Sequence, residues 1–240
     1  MLGEPSEYCV NDFRPICSSG LEKDWILDWF GSLSTAYGYK IFSVDICRGD
    51  KLPEPDTPDA VILGGTSHDV REKFPWLTYL TGWLNQYRVL ERPLLGICGG
   101  HQLLSIVFDG GELVSRKAGR LAGVYPIELS DIGRQHPLFK GIDKYPKFLF
   151  GNTLYILPSE TLLKKTLASF GDDPTIVADH GGHWYSCQFH PESKKITWEC
   201  FFKRDDTVDL DLFSDHHDGY KFLENFLEIS RGVAEGPLRS

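Results

Sequence analysis

The stretch Pro93–Gln102 decides the fold, and it reads PLLGICGGHQ. An apolar run is followed by a glycine, by Cys98 between small residues, and then by a second apolar run. This order predicts a strand that turns sharply into a helix, with Cys98 at the turn. The N-terminal end of a helix favours a thiolate placed there. Because glycines at 96, 99 and 100 indicate that the backbone approaches a ligand closely, we interpret Cys98 as a nucleophile rather than a small core residue.

A second segment, Cys187–Glu192, reads CQFHPE and offers a base. His190 follows a strand predicted for Trp184–Gln188, so it would lie at the C-terminal edge of the sheet, as Cys98 would. Ligands of open α/β sheets bind at that edge. Glu192 lies two residues on and can orient His190. Nucleophile, base and orienting carboxylate are the three parts that covalent acyl transfer needs.

A glycine pair, Gly64-Gly65, follows a short apolar strand predicted for Asp59–Leu63 and should end at the same edge. Free backbone N–H groups there can face a developing oxyanion. A tight turn explains the pair equally well, and the sequence leaves both interpretations open.

The composition excludes several classes of protein. The net charge of −9 over 240 residues argues against a nucleic-acid binder, which needs clustered Lys and Arg. No stretch is long and apolar enough to span a bilayer. Residues 1–7 lack the basic and apolar regions of a signal peptide, and the six cysteines are scattered without a CxxC motif. We therefore expect free thiols in a reducing, cytoplasmic setting.

The first half of the chain alternates strands with helices, which indicates βαβ units and a parallel sheet covered on both faces. Its predicted helices are 22–37, 71–90 and 99–108, and its predicted strands are 39–46, 59–63 and 94–97. The second half predicts short antiparallel strands added to that sheet, at 123–129, 148–150, 154–157, 166–170, 175–178 and 184–188, and a terminal helix at 219–230. We expect one domain over 1–240, with an irregular extension at 1–20, a short strand near Glu7–Val10 and an acidic loop at 203–218.

Three blocks together resemble the class I (triad) glutamine amidotransferase family. They are VILGG at 61–65, GICGGHQ at 96–102 and QFHPE at 188–192. The resemblance covers about residues 40–195 and is strongest to free-standing members similar to the amidotransferase part of GMP synthetase. It implies an α/β fold with an open, mostly parallel, flavodoxin-like sheet, helices on both faces and added antiparallel strands.

The resemblance also implies roles for individual residues. Cys98 would attack the side-chain amide of glutamine, His190 would carry the proton, and Glu192 would hold His190. The backbone amides of Gly65 and Gly99 would form the oxyanion hole. Gln102 falls where the family has a glutamine near bound substrate. The products would be glutamate and ammonia, by way of a thioester.

The sequence departs from the family pattern at two places. Thr66 stands where many members have proline, and the following 67–69 (SHD) resembles free-standing members that cleave γ-glutamyl peptides. Residues 150–152 (FGN) replace the family's His and Asp before a Leu-Pro pair. Three hypotheses follow: a glutaminase working for a separate synthetase, a γ-glutamyl hydrolase or peptidase, and a catalytically silent binding module.

Other candidate sites fail on physical grounds. The glycines between His180 and His183 favour a turn over a metal-ligating helix. His216-His217 is interpreted as a solvated loop. Neither glycine pair is followed by Lys-Ser or Lys-Thr, as a phosphate loop requires. We expect no metal, no cofactor and no nucleic-acid or membrane partner, only a small-molecule substrate and a possible synthetase partner chain.

Overall fold

The computed structural model describes residues 13–235, so the strand expected near Glu7–Val10 lies outside the described residues. The first half of the chain contains α1 (Glu22–Ala36), β1 (Val61–Leu63), α2 (Pro75–Arg88), β2 (Leu94–Ile97), α3 (Gly99–Asp109) and β3 (Glu112–Ser115). The second half contains β4 (Leu121–Pro126), β5 (Glu128–Leu129), α4 (Asp131–Gln135), β6 (Lys147–Asn152), β7 (Leu154–Leu157), α5 (Glu160–Leu163), β8 (Thr166–Phe170), β9 (Asp173–Gly181), β10 (Trp184–Cys187), α6 (Lys195–Phe201) and α7 (Gly219–Ala234).

The central sheet has six strands in the order β1-β2-β10-β9-β8-β5. The strands β1, β2 and β10 are mutually parallel, while β9, β8 and β5 extend the sheet through antiparallel pairings. Every residue of β2 and β10 is buried, as strands covered on both faces require. The predicted mixed α/β class is therefore confirmed.

Helices cover both faces of the sheet, and β2 shows which helices lie on which side. Leu94 packs in a core cluster with the buried side chains of α2 and α3. Leu95 and Ile97 belong to the opposite cluster, which contains residues of α1 and α7. This alternation follows from the two-residue period of a strand. The carboxyl end of β2 is thus held from both sides.

Three expectations were wrong in detail. The pairs β3–β7 and β4–β6 form separate two-stranded sheets instead of joining the central one. The segment 39–46 is not a strand, and Asp45 at its end is held in a turn, since its N–H donates to Asp50 and its O accepts from Arg48 and Asp50. The helix expected from residue 71 begins at Pro75, because proline suits the first helical position.

Two glycines around Cys98 are explained by packing within the protein, which corrects their interpretation as ligand-facing. A Cβ at Gly100 would lie 2.3 Å from Leu63 O, and one at Gly96 would lie 2.8 Å from both Gly100 C and a Leu104 methyl. The first turn of α3 therefore sits directly against β1 and β2, closer than any side chain allows.

This close packing predicts that Gly100→Ala destabilises the protein by about 1–3 kcal/mol, the usual cost of overpacking a tight core. Gly82→Ala in α2 is the matched control, since its Cβ would meet nothing within 4 Å. Denaturant unfolding measures both. Equal stabilities for the two variants would contradict the packing described for α3.

Candidate active site

Cys98 occupies the turn between β2 and α3 in a conformation that only glycine adopts readily. Its φ is 50° and its ψ −101°, and it caps the N-terminus of α3. Its backbone N–H donates to Cys187 O at 2.8 Å, which ties the turn to β10. A non-glycine residue with positive φ stores backbone strain, which clusters at functional sites. The predicted strand–turn–helix at Cys98 is therefore what the structure contains.

His190 follows β10 and is fixed from two directions. Its backbone N–H donates to Leu149 O at 2.8 Å. Its ring Nδ1 donates to Glu192 Oε1 at 2.7 Å, and the imidazole and Cys98 both lie within 4 Å of the position that a Cβ at Gly65 would take. The structure thus brings together the three side chains that the sequence placed at one sheet edge.

The electrostatics of this group favour a charged imidazole. Burial lowers the pKa of His190, but the negative charges of Glu192 and of a Cys98 thiolate outweigh it and hold the pKa well above its usual value. Glu192 is itself buried, and its second oxygen has no partner in the described part of the chain. A charged imidazole next to a cysteine is the arrangement that activates a cysteine nucleophile.

The remaining predicted residues lie around this group. A Cβ at Gly65 would be 3.2 Å from His190 Cε1 and 3.6 Å from Cys98 Cβ, so Gly65 borders both side chains. Gly99 is the first residue of α3, where a backbone N–H has no acceptor within the helix. Gln102 is buried, and its Nε2 donates to Gln188 Oε1 at 3.2 Å.

A cavity of about 250 Å³ opens beside Cys98 and His190, and several of its residues were not predicted. Arg120 pairs with Asp205 and lies 4.9 Å from the Phe202 ring. Asn152 donates through Nδ2 to Leu154 O at 2.8 Å, while its buried Oδ1 has no partner among the described residues. Trp198 lines the cavity from α6, and the helical spacing of the apolar residues Trp198, Phe201 and Phe202 could have predicted a helix here.

The segment 203–218 is not simply a solvated loop, which corrects the interpretation of His217. The Nε2 of His217 donates to Ser193 O at 3.0 Å, and its Nδ1 accepts from Gly219 N–H at 3.1 Å. His217 thereby braces the turn that carries Glu192. His216 is exposed, as expected.

The predicted turn after His180 is present, with Gly181, Gly182 and His183 all at positive φ. Within residues 13–235, no three His, Cys, Asp or Glu side chains are grouped as metal ligands. No helix in that range has the length and hydropathy needed to cross a membrane.

Residues 32–208 match the sequence model of a family described as glutamine amidotransferase class-I. The chain belongs to this family. A relative named imidazole glycerol phosphate synthase subunit HisH, from Methanosarcina acetivorans, is 28% identical over 72% of this chain and 81% of its own. The match to the family model extends beyond the three resembling blocks and includes the end of α1, all of α6 and the start of the acidic segment.

Solved structures share the amidotransferase fold. A glutamine amidotransferase from Thermotoga maritima superposes with a TM-score of 0.72 at 19% identity, covering 84% of this chain and 91% of its own. A protein from Thermoplasma acidophilum, described as a putative GMP synthase subunit, has a TM-score of 0.57 at 20% identity, covering 76% and 77%. At these identities the likeness shows the fold alone.

The raised pKa of His190 predicts the effect of Glu192→Gln in this amidotransferase. Removing the carboxylate charge should lower the pKa of His190, because the imidazolium loses its negative neighbour while the ring stays buried. An NMR titration of the His190 ring measures this. Glu199→Gln, which changes an exposed carboxylate on α6, should leave the titration unchanged. A pKa of His190 unaltered by Glu192→Gln would contradict the described electrostatics.

Proposed function

We propose that this protein hydrolyses the side-chain amide of glutamine through a thioester on Cys98. The thiolate attacks the carboxamide carbon, and His190 gives its proton to the nitrogen as the C–N bond breaks and ammonia leaves. Water then attacks the thioester carbon, His190 accepts a proton from it, and glutamate is released with the thiolate restored. Glu192 holds the imidazole in the orientation that both steps need. The proximity of Cys98, His190 and Glu192 in a protein of this family carries the proposal.

The proposed oxyanion hole consists of the backbone N–H groups of Gly65 and Gly99. Support comes from the position of Gly65 against Cys98 and from the location of Gly99 at the start of α3. A donor there stabilises the negative oxygen of each tetrahedral intermediate, and removal of one such donor costs roughly 10²–10³ in kcat in other enzymes. Gln102 is proposed to shape the adjacent substrate pocket.

Asn152 and Arg120 are proposed to bind the amino-acid head of the substrate. The buried Asn152 Oδ1 lacks a donor among the described residues, and a buried unpaired acceptor costs about 1–3 kcal/mol. The α-ammonium of a γ-glutamyl group can supply that donor. Arg120 lines the same cavity and offers a guanidinium for the α-carboxylate.

A separate synthetase chain is the proposed recipient of the ammonia. The Methanosarcina relative supports this, since it is named for one subunit of a synthase. A reducing compartment such as the cytoplasm suits a thiolate mechanism, and Cys17, Cys98 and Cys187 are free thiols.

The second candidate function is hydrolysis of γ-glutamyl amides or peptides by the same three residues. The observation that favours it is the segment Thr66–Asp69, which departs from the family pattern and lines the cavity beside Cys98. A residue change at this wall can alter which leaving amine fits while the thioester chemistry stays the same.

The first test is Cys98→Ala, which removes the nucleophile. We expect the rate of ammonia release from glutamine to fall by several powers of ten, because members of such a catalytic group act as a unit. Cys17→Ser is the matched control at a cysteine that does not line the cavity, and it should retain activity. Normal glutamine turnover by Cys98→Ala would contradict the proposal.

A substrate panel separates the two candidate functions. Mass spectrometry of products from glutamine and from γ-glutamyl dipeptides gives kcat/KM for each. If the protein is a glutaminase, kcat/KM should be higher for glutamine than for the dipeptides. A wide preference for a dipeptide would replace it with the γ-glutamyl hydrolase, and the synthetase proposal would lose its basis.

The proposed role of Asn152 predicts that Asn152→Ala raises KM for glutamine by about tenfold, which corresponds to about 1.4 kcal/mol, with a smaller change in kcat. Asn85→Ala, at an exposed position of α2, is the control. Steady-state kinetics measure both variants. An unchanged KM in Asn152→Ala would remove Asn152 from the substrate site.

A further inference from the structure

The indole ring of Trp198 contacts the imidazole of His190 directly. The two ring centroids are 5.0 Å apart, and the planes meet at 75°. Trp198 is only 4% exposed. The hydrogen bond from His190 to Glu192 fixes one ring atom, but it leaves the imidazole plane free to rotate about that bond. An edge-to-face contact with a buried ring restricts the plane itself.

Trp198 is held in turn by aromatic rings that flank it, one just after α6 and one in the acidic segment 203–218. Phe202 lies 5.5 Å away at 28°, and Phe213 lies 5.6 Å away at 18°. These three rings and Leu149 form one buried cluster. The segment 203–218 thus reaches the imidazole of His190 through two successive ring contacts.

The strand β6 packs against Trp198 and provides the space for its indole ring. A Cβ at Gly151 would lie 1.9 Å from Cζ3 and 2.0 Å from Cη2 of the indole, so the ring occupies the position of a side chain. Gly151 does not have a positive φ, so packing against Trp198, and not backbone conformation, requires glycine there. The same strand accepts the backbone N–H of His190 at Leu149 O.

We propose that Trp198 is a positioning residue for His190, seated against Gly151 and supported by Phe213. This inference rests on the proposed acyl transfer through Cys98. It assigns a role to the segment 203–218, whose stacking fixes the imidazole plane. When Trp198 is displaced, the imidazole turns away from the thiolate, so Cys98 becomes reactive only at higher pH and turnover slows.

The experiment compares Trp198→Leu, Trp198→Phe and Gly151→Ala in the full chain. The first substitution removes the ring contact, and the alanine at position 151 pushes the indole away without changing Trp198 itself. Both variants should lower kcat for glutamine by about 10–100-fold, the scale of an ångström-sized misplacement, with KM changed less than about threefold. Trp198→Phe keeps a ring and should recover most of kcat.

A second readout needs no substrate. The rate at which iodoacetamide alkylates Cys98, followed by mass spectrometry against pH, reports thiolate formation. Its midpoint should move to higher pH in Trp198→Leu and Gly151→Ala. This measurement stands even if the wild-type protein hydrolyses no γ-glutamyl compound, so failure of the proposed function and failure of the positioning role are distinguishable.

Trp83→Leu is the matched control, since Trp83 is 6% exposed and packs in the cluster formed by α2 and α3. It should lower the melting temperature while leaving kcat and the alkylation profile unchanged. If Trp198→Leu and Gly151→Ala do not fold, the milder variant Phe213→Leu replaces them in the experiment. The positioning role is overturned if folded variants at 198, 151 or 213 keep the wild-type kcat and alkylation midpoint, or if Trp83→Leu shifts both equally.

Discussion

The parallel pairing of β2 with β10 is the constraint on which the rest of the structure depends. Ile97 lies opposite Cys187, so the two strands end side by side and point the same way. Cys98 leaves the first strand, and its N–H bonds to Cys187 O, while His190 follows the second strand by three residues. Cys98 and His190 are almost a hundred positions apart in the sequence, and they lie close together because each follows the end of one of two neighbouring strands. The strained turn at Cys98 persists because both flanking elements are buried and fixed.

A buried network of polar side chains also holds α3, β9 and β10 in this arrangement. His101, in the first turn of α3, and His180 on β9 each contact Ser186 Oγ on β10 at 2.7 Å, and His180 also bonds to Asp109. Burial lowers the pKa of His101 to about 3, with the neighbouring His180 acting in the same direction, so its ring is neutral. Satisfied networks of this kind specify a unique arrangement of the elements they join. Here they join the helix that begins at Cys98 to the strand that leads to His190.

Sequence reasoning was effective where one local pattern determines the structure. The apolar runs of β2 and β10 predict buried parallel strands, and their shared edge places Cys98 beside His190. The strand expected at 39–46 is absent although its composition suits a strand, and Asp45 at its end is held in a turn with Arg48 and Asp50. Trp198 could not be assigned to the site, because its position depends on how α6 packs against β6. Gly151 illustrates the difficulty, since a missing side chain matters only once the indole occupies its space.

The proposed reaction depends on a covalent acyl intermediate that forms on Cys98 at the edge shared by β2 and β10. The most direct measurement is an acid quench during turnover of a γ-glutamyl substrate, followed by peptide mass spectrometry. We expect a γ-glutamyl group on the peptide that contains Cys98 and on no other cysteine peptide. Turnover of the substrate with no adduct on Cys98, or with the adduct on another residue, would contradict it.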